Sequence, residues 1–289
     1  MDSPSDAHPG PPTPAPGAPT ATPPWRPFSG VLAVLAALLV ATVLGGLLLA
    51  PFGAQDPPPE ALVGATFLQD LIFIGAALLF AALARRPRAD DFGLLAPRRT
   101  GQALGLAAGV YVAFTVLSGL WVTALGIDER QTTLDQLGVD EGVLNLLLGI
   151  VIVTLMAPVA EELLFRGYVF TALRNWRGVG PAAVVSGAIF GFIHFGSSPL
   201  GFLVPLALFG VGLALLYAWT RSLYPSIGLH AVNNSVAFAV AQQWHEDAPL
   251  LLAGLVVGAT TVSLLVAAAL GRALGSGPLA PRHPAPAAA

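Results

Sequence analysis

At 289 residues, 55% hydrophobic and only 10% charged, the chain lies far from the roughly one-quarter charged composition of soluble domains and reads as a membrane protein. Its net charge of -3 argues against a nucleic-acid partner. All 13 basic residues are arginine, and the absence of cysteine excludes disulfides, thiol catalysis and cysteine metal sites.

Residues 1–27 are dominated by Pro, Ala, Gly and Thr, a composition that predicts a disordered tail. Their acidic start lacks the basic region of a signal peptide. Residues 28–270 are predicted to form one transmembrane domain, and residues 271–289, with Pro278, Pro281 and Pro284, a second disordered tail. A span needs about 20 mostly apolar residues. Eight segments are read as spans: about 28–50, 61–84, 101–125, 143–165, 181–197, 201–219, 223–241 and 249–270. The predicted fold class is all-α, a polytopic membrane protein of about eight transmembrane helices. A spanning backbone must satisfy its own hydrogen bonds, and no barrel-type alternation is visible. Glycine and alanine within the spans suit close helix packing.

With eight spans, Arg26, the Arg85–Arg99 loop, Arg174, Arg177, Arg221, Arg272 and Arg282 fall on one side of the membrane. The other side holds Asp56, Glu60, Asp128, Glu129, Asp135, Asp140, Glu141, Glu246 and Asp247, with Arg130 as its only base. The positive-inside rule then places both termini in the cytoplasm.

Three apolar segments carry ionisable or amide side chains, which inside a membrane are a functional-site hypothesis by default. The first is Glu161-Glu162-Leu-Leu-Phe-Arg166. Glu162 and Arg166 are four apart with the acid N-terminal, the favourable order for a helix ion pair. Glu161, about 100° around the helix, has no partner on its own helix. In a low-dielectric cavity it suits the task of taking a proton from water. The second segment is Phe190-Gly-Phe-Ile-His194, in which Phe190 reads as packing or pocket wall on the helix face of His194. The third is His230-Ala-Val-Asn-Asn234, in which His230 and Asn234 share a face. Imidazole and carboxamide groups can donate to the oxygen of a tetrahedral intermediate. His230 can instead orient the water or protonate the leaving amine.

These motifs, in this order, together with Ser222-Leu-Tyr-Pro-Ser-Ile-Gly-Leu-His230-Ala, resemble the type II CAAX prenyl endopeptidases of the CAAX-protease and bacteriocin-processing (CPBP) family. The resemblance covers roughly residues 145–240. It implies an eight-helix fold enclosing an intramembrane cavity, and hydrolysis of a peptide bond. It assigns water activation to Glu161 and oxyanion stabilisation to His194, His230 and Asn234, with Glu162 and Arg166 in support. The substrate does not carry over from the resemblance.

Glu161, His194 and His230 also make a conceivable three-ligand set for zinc or another divalent metal. However, no His-Glu-x-x-His occurs: His245-Glu246 lies in a polar loop without the second histidine. No second carboxylate is evident to act as base if Glu161 binds metal, so a metal-free site is the favoured expectation. A serine-type intramembrane protease fits less well, since Val184-Val-Ser186-Gly187 matches its nucleophile setting only in part. An aspartyl type needs two aspartates deep in spans, and only Asp70, beside Gln69, is so placed. Asp70 is assigned either to a bond with a neighbouring helix or to the cavity. The leading reading is an intramembrane endopeptidase acting on a membrane-associated peptide or protein, with membrane lipid as its other partner. Its expected location is a bacterial-type plasma membrane. The alternative is a catalytically inactive scaffold or bacteriocin self-immunity protein of the same fold. A transporter would show broken helices or repeated halves, and the sequence displays neither.

Overall fold

A computed structural model describes residues 23–53, 57–128, 133–244 and 248–275. Most of both expected tails, and the His245-Glu246 loop, lie outside the described residues. Among the described residues the protein is helical, with one isolated bridge between Phe195 and Ser198 in place of any strand. The longer helices are α1 (Pro27–Leu49), α2 (Pro59–Ala82), α3 (Thr100–Leu125), α4 (Val143–Arg177), α5 (Val179–Phe192), α6 (Leu200–Thr220), α7 (Tyr224–Ala241) and α8 (Pro249–Leu274). Proline in the first helical turn opens α1, α2, α7 and α8, where a missing N–H costs no hydrogen bond.

Six of these helices are long and apolar enough to cross a membrane: α1, α2, α3, α4, α6 and α8. The other two segments read as spans depart from that expectation. Helix α5 has only 14 residues, about 21 Å of helix, and stops at Phe192 instead of residue 197. Helix α7 has 18 residues and carries the polar groups of His230, Asn233 and Asn234. Helix α4 runs to Arg177 rather than residue 165, giving 35 residues in all.

Helix α4 is the axis of the molecule. Every residue from Pro158 to Leu173 is buried, as expected for a helix that is apolar nearly all round. It packs against α1, α2, α5, α6, α7 and α8. Two stretches, Ile150–Met156 and Leu163–Phe170, have wider π-type turns and flank the Glu161 turn. Such turns are rare and recur at functional sites. Outer faces carry exposed Leu35, Leu39, Leu120 and Leu265, a surface suited to lipid. Helix α3 has Ala103 as its buried residue and rests mainly on α6. Helices α5 and α6 meet most closely. A methyl group at Gly191 would lie 2.5 Å from the Leu203 carbonyl oxygen, so only glycine permits this approach.

The arginine-rich loops gather at one end of the bundle. Trp25 packs on Phe92 and Tyr168, and Asn175 donates to the Pro23 carbonyl. Ser222 donates to the Leu95 carbonyl, and the Ala89 amide bonds the Gly275 carbonyl. The entry to α1, the 85–99 loop, the end of α4, the α6–α7 turn and the end of α8 thus form one knitted surface. Arg85 pairs there with Asp91, and Arg88 with Asp90.

Candidate active site

The i, i+4 relation predicted for Glu162 and Arg166 is realised as a buried ion pair. Both side chains are 0% exposed, and Arg166 donates to Glu162 Oε1 over 2.7 Å. Arg166 also donates to the Gly210 carbonyl on α6 over 3.1 Å. Its guanidinium lies 4.3 Å from the Phe190 ring centre. Three helices thus hold this one cation, offsetting the desolvation that makes an unpaired buried charge costly.

His230 reaches the same carboxylate from α7, with Nδ1 2.9 Å from Glu162 Oε1. The carboxylate of the ion pair can only accept, so Nδ1 carries the hydrogen, and in the neutral ring Nε2 presents a lone pair. That Nε2 lies 3.8 Å from Glu161 Oε2, too far for a direct hydrogen bond. Glu161 is 8% exposed, and its Oε2 is buried without a hydrogen-bond partner. A water molecule touching both atoms would satisfy each. Both glutamates keep a buried Oε2 without a partner, but Glu162 is tied through its Oε1 to Arg166 and His230, while Glu161 faces His230 Nε2 without a direct hydrogen bond.

His194 stands in the turn beyond α5, not within a span as expected. The reason is the early end of α5, which hands over to the turn through the bond of the His194 amide to the Gly191 carbonyl. Its Nδ1 is 2.8 Å from the Phe190 carbonyl oxygen, which fixes the hydrogen on Nδ1 and leaves Nε2 open here too. Phe190, 1% exposed, touches both imidazoles, with ring centres 5.1 Å from His194 and 5.8 Å from His230. Phe190 is thus packed between the two imidazoles. The helix start at Val179 puts His194 just past the far end of α5, and the start at Tyr224 puts His230 early in α7. The shared contact with Phe190 nevertheless brings both rings to one locality.

Asn234 donates through Nδ2 to the Val153 carbonyl on α4 over 2.9 Å, and its Oδ1 faces Asn233 Nδ2 at 3.4 Å. One N–H of the amide is thereby used and the second is not. Among the described residues no group of three or more His, Asp or Glu side chains is arranged to hold a metal ion. Glu161 and His230 come together, but His194 does not join them in a three-ligand centre.

For Asp70 the sequence offers either a bond to a neighbouring helix or a place on the cavity. It is 1% exposed on α2, its Oδ2 has no hydrogen-bond partner, and Glu161 is a charged group in its neighbourhood. The sequence marked Asp70 only as a lone intramembrane acid. Its proximity to Glu161 arises from packing of α2 on the Glu161 turn, which no local pattern announces.

Residues 143–236 match the family model described as type II CAAX prenyl endopeptidase Rce1-like. The "Putative membrane peptidase YdiL" of Bacillus subtilis (strain 168) is 31% identical over 94 residues, which are 32% of this chain and 36% of that protein. The chain thus matches about a third of the length of this curated relative. No solved structure gives a significant match. The matched stretch contains the ion pair, both histidines and Asn234, and in this third of its length the chain is similar to the type II CAAX prenyl endopeptidase Rce1-like family.

Proposed function

We propose that the protein is an intramembrane endopeptidase that hydrolyses a peptide bond of a membrane-associated protein or peptide, in CAAX-type or bacteriocin-related processing. The observation that carries this reading is the unpartnered Oε2 of Glu161, buried and 3.8 Å from the open Nε2 of His230. In this reading Glu161 takes a proton from the bound water as the water oxygen attacks the scissile carbonyl carbon. The free N–H of Asn234 meets the oxyanion. Collapse of the intermediate breaks the C–N bond, and Glu161 returns the proton to the leaving amine. The bare Nε2 atoms suit His230 and His194 to orienting the water by accepting from it. Donation to the oxyanion from either would require the imidazolium form. Glu162 and Arg166 hold His230 in place. The family match and the peptidase name of the relative support the reaction class.

No metal enters this scheme, and the expected partners are membrane lipid and the anchored substrate. The arginine-rich end, which includes the entry to α1 and the end of α8, is assigned to the cytoplasm of a bacterial-type plasma membrane. The test is hydrolysis of a library of membrane-anchored peptides by the detergent-purified protein. Glu161→Ala is expected to lower the rate by about 100-fold to 10,000-fold, the range for loss of a general base. Chelation is expected to leave it unchanged. Activity that survives Glu161→Ala would overturn the assignment.

A further inference from the structure

Pro158 lies one turn before Glu161 and has no N–H to donate. The preceding Ala157 amide bonds the Ile152 carbonyl, in the wide register of that stretch. The next donor along the ladder would be residue 158. Pro158 cannot donate to the Val153 carbonyl in that register, and Asn234 Nδ2 donates to this carbonyl at 2.9 Å. The following two carbonyls, of Thr154 and Leu155, are met from the last helix: Ser263 Oγ on α8 lies 3.4 Å and 3.2 Å from them. Thr154 and Ser263 are both 0% exposed, so no solvent competes for these bonds. Thr154 Oγ1 itself bonds back to the Ile150 carbonyl at 2.7 Å, a pattern that bends helices.

We propose that Pro158 and Ser263 are positioning residues for the peptidase site, a role that rests on the peptidase reading above. Pro158 opens the α4 ladder, creating in the Val153 carbonyl an acceptor that aims the Asn234 amide. Ser263 holds the opened turn from the far side and so fixes the rotation of the Glu161 turn relative to Asn234. Neither residue touches the reacting atoms. Each acts through the backbone of residues 153–155, which links the water-activating acid to the oxyanion donor.

The experiment is a double-mutant cycle on the full chain in detergent, with S263A, P158A and the pair, read as kcat, KM and unfolding midpoint. S263A is expected to lower kcat about tenfold while KM stays within twofold, since a small misplacement costs rate more than binding. S263T, which keeps the hydroxyl, restores at least half of kcat. P158A restores a donor for the opened ladder, so adding S263A to it changes kcat and the unfolding midpoint by less than twofold and less than one degree, on the order of measurement error. T260V, on the same helix, leaves kcat unchanged. The inference is overturned if S263A keeps full kcat, if S263T fails to rescue, or if the two substitutions act independently. Where P158A does not fold, S263A against S263T decides. If the wild type cleaves no peptide, the peptidase reading fails on its own. The unfolding midpoints then judge the coupling, with independent shifts rejecting it.

Discussion

Glu161 and Glu162 are neighbours of identical chemistry placed in opposite circumstances. Glu162 accepts from Arg166 and His230, so Glu162→Gln leaves a fully buried guanidinium uncompensated. Loss of one partner of a buried pair costs about 3–5 kcal/mol, and a large fall in unfolding midpoint is expected. Glu161→Gln removes a carboxylate whose buried oxygen has no partner. Its unfolding midpoint is expected to equal or exceed that of the wild type while hydrolysis is lost. A thermal scan of the two variants, set beside their rates, checks both outcomes. Loss of stability in Glu161→Gln would count against the division of labour. The pairing of Glu162 with Arg166 could be read from helical spacing alone. So could the separateness of Glu161, because 100° per residue forbids a shared face. The reach of Asn234 to the Val153 carbonyl could not, because a side-chain motif says nothing about which distant carbonyl is vacant.

Helices α5 and α6 set where Phe190 and His194 stand. A methyl group at Gly191 meets the Leu203 carbonyl at 2.5 Å and Ala207 Cβ at 2.8 Å, neither of which is a flexible tip. Gly191→Ala must therefore push the two helices apart. It is expected to cost about 1–3 kcal/mol in overpacking strain and to lower the hydrolysis rate at least fivefold, about what a displaced contact group costs. Wild-type rate and midpoint in this variant would show that the interface yields without moving the site. Helix existence was well marked in the sequence, because long apolar runs have few other uses. The ends were not. Residues 193–197 continue the apolar pattern of α5, yet the chain turns there, with Gly196 at a φ of 91° that glycine adopts freely. The wide turns of α4 were hidden for a related reason. A π turn changes the residues per turn without changing composition, and Pro158 was its one local sign.

The two ends of the bundle differ in sign, and the knitted contacts confirm that the arginine loops form one surface. The chain has no native cysteine, so single cysteines report topology without background. Arg86→Cys, at an exposed position on the arginine-rich end, should react with an impermeant maleimide only after cells are opened. Asp140→Cys, exposed in a turn before α4 in the acidic stretch, should react in intact cells. The reverse pattern would invert the assigned orientation. Charge segregation made this arrangement legible, since it depends on loop order alone. The depth of each site group was not, because it depends on where helices stop. Helix α5 is about 21 Å long against a hydrocarbon thickness of about 30 Å. Its neighbours α4 and α6 are 35 and 21 residues long. In a bilayer, a helix this short is expected to draw the lipid headgroups inward on that flank, at a cost of fractions of a kcal/mol per Å. A leaflet thinned in this way beside the exposed Phe192 and Phe195 would shorten the distance an extended polypeptide must travel from the interface to His194.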